Sequence, residues 1–180
     1  MPRGYLKVFQ YGSNMSGERI NCPNRLAGRA VVAGVARLDG YGIRFDLYSS
    51  QENKCGVTDI AESVNEHVLG VLYDVPIPLV IAPAGRRSKM DEFEGARPDG
   101  TGNYRRIRLS VAVGKRRVSS VTYVGTDEGR RRFAQRTAEE RQVSEEYFRH
   151  LRAGAQASRF PQEYLAYLER QAGDLRLTES

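Results

Sequence analysis

The chain has 180 residues, of which 40% are hydrophobic, and its formal net charge is +6. This length suits one hydrophobic core, so we expect a single domain over residues 1–174 and a frayed tail over residues 175–180. No apolar run approaches the roughly 20 residues of a membrane-spanning helix, and the N-terminus lacks the apolar region of a secretory signal. These features predict a cytoplasmic protein that does not enter a membrane.

The first two thirds of the chain read as β-strands. Short apolar or alternating runs are typical of strands, and they lie at residues 6–10, 30–38, 43–47, 55–61, 68–75, 107–113 and 118–124. We expect a turn at residues 40–42 and a hairpin or meander across the polar stretch 62–67. The last two strands are expected to pair across residues 114–117.

Helical patterns are concentrated in the last third. A short helix is predicted after Ser16, which suits an N-cap, and another over residues 86–94, ending at Gly95 in a left-handed cap. Further helices are predicted over residues 130–141, 144–155 and 161–170, with Pro161 in the first helical position. Strands followed by helices predict an α+β fold with a small, curled, mixed β-barrel and flanking helices.

The positive charge raises the question of nucleic-acid binding. Basic clusters lie at residues 105–108, 115–117 and 130–132, but glutamates follow the last cluster and no aromatic residues are interleaved with the basic runs. A base-stacking platform is therefore not predicted, and an anionic small substrate or a solvated surface explains the charge as well. We expect no nucleic-acid partner.

The cysteines and histidines predict no metal site. Cys22, Cys55, His67 and His150 lack metal-ligand spacing. We interpret both cysteines as small buried side chains.

The first candidate for chemistry is the end of the first strand, at residues 9–15. Gly12, Ser13 and Asn14 can turn several backbone N–H groups toward one point, and such a nest binds a carboxylate or an oxyanion. An ordinary turn in which Ser13 or Asn14 caps a helix is the alternative.

The second candidate is the acidic run at residues 90–95. Three carboxylates among apolar residues usually form a solvated helix face, with Met90 and Phe93 packed inward. Glu94 directly precedes a glycine and could instead point into an apolar pocket, where desolvation would raise its pKa toward the range that suits proton transfer.

The third candidate is a set of tyrosines that could line a pocket for a small polar ligand: Tyr11, Tyr104, Tyr123 and Tyr147. With ten tyrosines in the chain, most are ordinary core or rim residues. No nucleophile elbow, phosphate-binding loop or dinucleotide fingerprint is present.

Taken in order, these segments resemble the γ-glutamylcyclotransferase family and its AIG2-like relatives. Residues 9–15 are similar to its Tyr-Gly-Ser-Asn substrate loop, and residues 91–95 to its "LDxxEG" element, with Met90 in place of the usual Leu. Further similarity lies in Ala36-Arg37-Leu38 with Phe45, in Cys55-Gly56-Val57 and residues 68–73, in Tyr104 with Arg106 and Tyr123, and in a tail that contains Ser144 to Tyr147, Gly154-Ala155 and Pro161 to Tyr164.

The resemblance implies a cofactor-free, metal-free enzyme that cyclises the γ-glutamyl group of γ-glutamyl amino acids or amines to 5-oxoproline and releases the amine. It implies Glu94 as the proton acceptor. The substrate-binding residues that it implies are Val8, Phe9, Gln10, Tyr11, Gly12, Ser13, Asn14, Tyr104, Tyr123 and Tyr147.

Several alternatives remain open at this level. The enzyme could remove a γ-glutamyl protecting group in one pathway, or the fold could serve as a non-catalytic module for a small anion, as a monomer or a homodimer. Glutathione is not the expected substrate, because glutathione-specific relatives resemble a "YGSL"-type loop. Residues 76–89 and 96–103 look expanded and border the expected pocket mouth, so they bear on the leaving group.

Overall fold

Five β-strands close into a barrel in the computed structural model of the chain, which describes residues 4–50 and 53–175. They are β1 (Tyr5–Gln10), β2 (Val31–Ser49), β3 (Cys55–Pro76), β4 (Tyr104–Val113) and β5 (Arg116–Gly125). Around the barrel the order is β1-β3-β2-β4-β5, and neighbours are antiparallel except β1 and β5, which meet in parallel at Val8 and Val121. The predicted α+β fold with a mixed, curled barrel is confirmed.

The helices surround this barrel. A short 3-10 helix (Ser13–Met15) follows β1, and the α-helices are α1 (Gly17–Ile20), α2 (Ile77–Val80), α3 (Lys89–Glu94), α4 (Asp127–Ala134), α5 (Ala138–Arg141), α6 (Glu145–Ala157) and α7 (Gln162–Ala172). Within the described ranges, no helix is both long and apolar enough to cross a lipid bilayer.

The prediction of separate short strands in the first half was wrong. Residues 31–38 and 43–47 belong to the single strand β2, with Ala30 just before it, and residues 55–61 and 68–75 belong to β3. The expected turn at Gly40 is a bulge, where the register shifts between Asp39 and Tyr41 and Gly40 takes a φ of 78°. Opposite Gly40, residues 63–66 of β3 lie outside the ladder, between Glu62, which pairs with Tyr41, and His67, which pairs with Asp39. A bulge interrupts the pairing locally but lets both strands continue.

The capping residues of the helices were predicted more accurately than the lengths of the helices. Ser16 caps α1 and Gly95 ends α3 with φ 68° and ψ 23°, as predicted, and Ser144, predicted as the first residue of a helix, is the N-cap of α6. The helix expected at residues 86–94 begins only at Lys89, because Ser88 forms a capping box with Asp91. Pro161 occupies the N-cap of α7 rather than its first helical position.

The helix expected over residues 130–141 is divided. α4 begins one residue after Thr126, whose side chain accepts the Gly129 N–H, and it ends at Ala134. A second capping box, between Thr137 and Glu140, then starts α5. The predicted pairing of the last two strands is confirmed, with Val113 opposite Arg116 across the turn at Gly114.

The core fills the barrel and the space beneath α3 and α6. Its largest fully buried side chains include Tyr73, Phe9, Phe148, Ile20, Leu26 and Met90. Cys55 is buried as predicted, whereas Cys22 is only partly buried. Leu175 packs against the core, and the rest of the predicted frayed tail, residues 176–180, lies outside the described residues.

Gly70 allows β1 and β3 to approach closely, and this contact predicts a stability effect. A Cβ at Gly70 would overlap the Gln10 carbonyl oxygen and the Phe9 ring. Gly70→Ala is therefore expected to lower the free energy of unfolding by about 1–3 kcal/mol, the usual cost of overpacking. Urea unfolding measures the change.

The matched control is Gly17→Ala in α1. A Cβ there has no neighbour closer than the Tyr73 hydroxyl at 3.9 Å, so this variant is expected to unfold at the wild-type urea concentration or slightly above. Equal midpoints for Gly70→Ala and wild type would contradict the packing argument.

Candidate active site

The predicted substrate loop, residues 9–15, lies at the end of strand β1. After Gln10 the chain enters the 3-10 helix, whose first backbone bonds run from the Met15 N–H to the Gly12 carbonyl (2.9 Å) and from the Ser16 N–H to the Ser13 carbonyl (3.2 Å). The first N–H groups of a helix have no partner inside it. Those of Ser13 and Asn14 also meet no acceptor elsewhere in residues 4–50 and 53–175.

Gly12 is required in this loop for a reason that differs from the predicted one. Its φ is −107° and its ψ is −151°, so it is extended and does not form a left-handed nest. A Cβ at Gly12 would overlap the Thr58 hydroxyl and crowd the Tyr147 hydroxyl. The donors of the loop therefore come from the start of a 3-10 helix, and Gly12 permits close packing on Thr58.

Helix α3 places the Glu94 carboxylate against this loop. Glu94 is the last residue of α3, and the left-handed Gly95 turns the chain away immediately after it. Glu94 Oε1 accepts hydrogen bonds from Asn14 Nδ2 (2.9 Å) and from Gln10 Nε2 (3.2 Å). Gln10 and Asn14 precede Glu94 by 84 and 80 residues in sequence. The two predicted parts of the site, the β1 loop and Glu94, are thus in direct contact.

Burial raises the pKa of Glu94 above its ordinary value of 4.5. The Arg25 guanidinium and the hydrogen bonds from Asn14 and Gln10 act in the opposite direction, without cancelling the desolvation. A carboxylate with a raised pKa is a stronger base than one in water, which suits proton transfer.

Arg25 is a site residue that the sequence analysis missed. It is only 5% exposed, its Nη1 donates to Asn14 Oδ1 (2.9 Å), and its guanidinium lies 4.9 Å from the centroid of the Phe93 ring. This contact fixes the orientation of the Asn14 amide, because the bound oxygen leaves Nδ2 to face Glu94. No motif marks Arg25, and only its burial beside the loop identifies it.

Asp91 anchors α3, although the sequence suggested a solvated carboxylate. It is 7% exposed, and its oxygens accept from the Tyr123 hydroxyl (2.8 Å), from the Ser88 N–H (2.9 Å) and from Arg106 Nη1 (3.1 and 3.2 Å). Arg106 also donates to the Val80 carbonyl. The network joins α3 to β4 and β5, and so it sets the position of Glu94 one turn later. Glu92, by contrast, is exposed as predicted.

The four predicted tyrosines all line the cavity, but their hydroxyls are bound to the protein. Tyr11 donates to the Tyr123 carbonyl and Tyr104 to the Thr58 carbonyl, while the Tyr147 hydroxyl lies 2.7 Å from Thr58 Oγ1. Burial raises the pKa of each of the four, so they remain neutral at pH 7. They shape the walls rather than act as bases.

These elements surround a cavity of about 280 Å³, which is the size of a small-molecule site. Eight of the predicted substrate-binding residues line it together with Glu94: Gln10, Tyr11, Gly12, Ser13, Asn14, Tyr104, Tyr123 and Tyr147. Val8 and Phe9 do not, because their side chains are fully buried in the barrel core. Within the described part of the chain, no cluster of three or more His, Cys, Asp or Glu side chains could hold a metal ion.

Comparison with known families agrees with this arrangement. The family model described as gamma-glutamyl cyclotransferase, AIG2-like, matches residues 8–149, a range that contains the loop, Glu94 and all four tyrosines. The chain belongs to this family, which supports a gamma-glutamyl cyclotransferase-like function in general terms. A comparison with curated protein sequences finds no significant match.

Solved structures share the fold at low sequence identity. Uncharacterized protein loc79017 from Homo sapiens is 23% identical with a TM-score of 0.73, over 97% of this chain and 95% of that one. A structure described as gamma-glutamyl cyclotransferase is 23% identical with a TM-score of 0.68, over 96% and 94% of the two chains. YkqA from Bacillus subtilis is 21% identical with a TM-score of 0.70, over 98% of this chain but 57% of its own.

The half-buried, desolvated carboxylate of Glu94 predicts a pH-dependent stability difference between wild type and Glu94→Gln. Because the pKa of Glu94 is raised on folding, the folded state binds more protons than the unfolded state between pH 4.5 and the folded pKa. The free energy of unfolding then falls as the pH rises through that interval. Glu94→Gln is expected to be more stable than wild type at pH 7, with a smaller gain at pH 4.

Urea unfolding at the two pH values measures this difference. Glu163→Gln, which removes an exposed carboxylate from α7, is the control and is expected to stay near wild type at both. A Glu94→Gln gain that is absent, or equal at pH 4 and pH 7, would contradict a desolvated Glu94.

Proposed function

We propose that the protein is a γ-glutamylcyclotransferase that converts the γ-glutamyl group of a small-molecule substrate into 5-oxoproline and releases the attached amine. The observation that supports this most strongly is the Glu94 carboxylate, desolvated at the cavity and hydrogen-bonded to Asn14 of the β1 loop. Family membership supports the same class of reaction.

The nucleophile in this reaction belongs to the substrate. The α-ammonium group of the glutamyl unit first loses one proton to solvent. Its nitrogen then attacks the γ-carbonyl carbon, and a C–N bond forms within a five-membered ring. Glu94 accepts the proton that the attacking nitrogen loses and passes it to the departing nitrogen as the original C–N bond breaks. The released amine takes up a proton from water, so protons balance over the cycle.

Two further features of the cavity support this chemistry. The N–H groups of Ser13 and Asn14 can donate to the anionic oxygens of the substrate, in the manner of an oxyanion hole. The tyrosine walls restrict the flexible glutamyl chain, which lowers the entropic cost of bringing amine and carbonyl together. No activated serine or cysteine is needed.

The direct test replaces the proposed base. Glu94→Gln keeps the size and polarity of the side chain but cannot accept the proton, so 5-oxoproline release from γ-glutamyl dipeptides and γ-glutamyl amines is expected to fall about 10²–10⁴-fold. Chromatographic detection of 5-oxoproline measures the rate. Glu163→Gln is the control and is expected to retain wild-type turnover, whereas near-normal turnover by Glu94→Gln would remove Glu94 from this role.

The pH dependence gives a second test. Because Glu94 must be ionised and its pKa is raised, kcat/KM is expected to decline at acid pH with a midpoint above 4.5. The Asn14 hydrogen bond lowers the pKa of Glu94, so Asn14→Leu is expected to move that midpoint to higher pH. A midpoint at or below 4.5, or one that Asn14→Leu leaves in place, would contradict the assignment.

A further inference from the structure

The cavity carries an excess of positive charge that proton transfer at Glu94 does not explain. Seven charged side chains line it: Arg19, Arg25, Arg87, Arg97, Arg132, Glu92 and Glu94. Arg25 is buried against the loop that holds Glu94, at the inner end. Arg87, Arg97 and Arg132 are exposed and therefore belong to the mouth, where the only carboxylate among the described lining residues is that of Glu92.

The segment 96–103 holds part of this mouth in a defined shape. The Ala96 N–H donates to the Asp91 carbonyl (2.9 Å), and the Asn103 N–H donates to the Gly95 carbonyl (3.1 Å), so the two ends of the segment meet. Asn103 Nδ2 donates to the Tyr48 carbonyl (2.7 Å), and the Thr126 hydroxyl donates to the Gly102 carbonyl (2.6 Å). The segment is thereby tied to both β2 and the start of α4.

Arg97 lies near the beginning of this segment. Within residues 4–50 and 53–175 its guanidinium makes no hydrogen bond and no ion pair, although its charge helps to lower the pKa of Asp99. Asp99 is the acidic neighbour on the same segment, and its carboxylate already accepts from the Thr101 N–H (3.0 Å) and hydroxyl (2.8 Å). Arg97 therefore presents donors and positive charge at the cavity mouth.

Arg132 reaches the same mouth from α4. Its Nη2 donates to the Thr101 carbonyl (2.9 Å), which holds the guanidinium beside the segment that carries Arg97. Its only ion-pair partner in the described ranges is Glu128, at 3.6 Å from Nε, and Arg131 contacts Glu128 as well. One carboxylate shared by two arginines leaves net positive charge at this position.

We propose that Arg97 and Arg132 form a specificity site for a carboxylate on the leaving amine, so that the enzyme prefers γ-glutamyl compounds whose amine is itself an acid. This inference rests on the proposed function, and it names the class of substrate within it. Glu94 and the β1 loop hold the glutamyl unit at the inner end, and the leaving group then extends toward the mouth. The planar guanidinium of arginine matches a carboxylate with paired hydrogen bonds, whereas a cationic leaving group would be repelled.

The test compares leaving groups that differ in one charge. We expect kcat/KM for γ-glutamyl-alanine to exceed that for γ-glutamyl-alaninamide by about tenfold to a hundredfold, the usual range for a hydrogen-bonded charge. A γ-glutamyl diamine with a free ammonium group is expected to be poorer still. High salt is expected to reduce the preference, because exposed charges are screened.

Arginine variants then locate the preference. Arg97→Gln and Arg132→Gln are each expected to bring the ratio for alanine over alaninamide closer to one, and the double variant more so. Using the ratio within each variant cancels the different intrinsic reactivity of the two substrates. Arg108→Gln, on the exposed face of β4 and outside the cavity lining, removes the same charge and is expected to keep the wild-type ratio.

The outcomes separate this inference from the proposed function. Turnover of γ-glutamyl-alanine and γ-glutamyl-alaninamide at equal kcat/KM would overturn the specificity site and leave the cyclotransferase assignment intact. The same conclusion would follow if Arg108→Gln lowered the ratio of alanine to alaninamide as much as Arg97→Gln does. Binding to Glu94→Gln, measured by calorimetry, tests the site without chemistry. If Glu94→Gln bound γ-glutamyl-alanine more tightly than γ-glutamyl-alaninamide, but the wild type released no 5-oxoproline, the proposed function would be overturned and the specificity site would stand.

Discussion

The contact between the Glu94 carboxylate and the side-chain amides of Gln10 and Asn14 is the constraint on which the site depends. It joins the last residue of α3 to the end of β1 and holds a partly buried carboxylate whose desolvation raises its pKa. Burying a charge destabilises a protein unless polar partners compensate, and here the compensation is partial because the pKa of Glu94 remains raised. Such a carboxylate lowers the free energy of unfolding, but it is a stronger base than a carboxylate in water. Functional sites commonly show this trade-off between stability and activity.

The barrel supplies the rigidity that this contact needs. Asp91, Arg106 and Tyr123 link α3 to β4 and β5, and the Asn14 amide is oriented by buried Arg25. The tyrosines contribute in the same way, since hydroxyls bound to backbone carbonyls keep their rings in place around the cavity. Side chains of a functional site can be held accurately only when further contacts fix their rotamers, and Asn14 and α3 have such contacts here.

The cavity divides into two regions of different character. The family model covers both regions. The inner end consists of the elements that the resemblance already singled out, namely the β1 loop and the end of α3. The cavity mouth includes Arg87, Arg97 and Arg132, and the lining carboxylate described there is that of Glu92. Loops on a rigid scaffold vary without disturbing the fold, so the proposed reaction and the proposed choice of leaving group would be controlled by separate parts of the chain.

The sequence alone determined what depends on neighbouring residues. The caps at Ser16 and Gly95 and the β4–β5 hairpin were predicted correctly, because each rests on residues within a few positions of one another. The ordered motifs likewise pointed to the family and to Glu94 as a candidate.

Only the tertiary structure decided the features that join distant segments. The unbroken course of β2 and β3, the burial of Asp91 and the place of Arg25 beside Asn14 all depend on partners that lie far apart in sequence or on burial. The same holds for Val8 and Phe9, which the motif assigned to the substrate and the barrel places in its core. Burial and pairing are properties of the folded neighbourhood, and a linear pattern does not contain them.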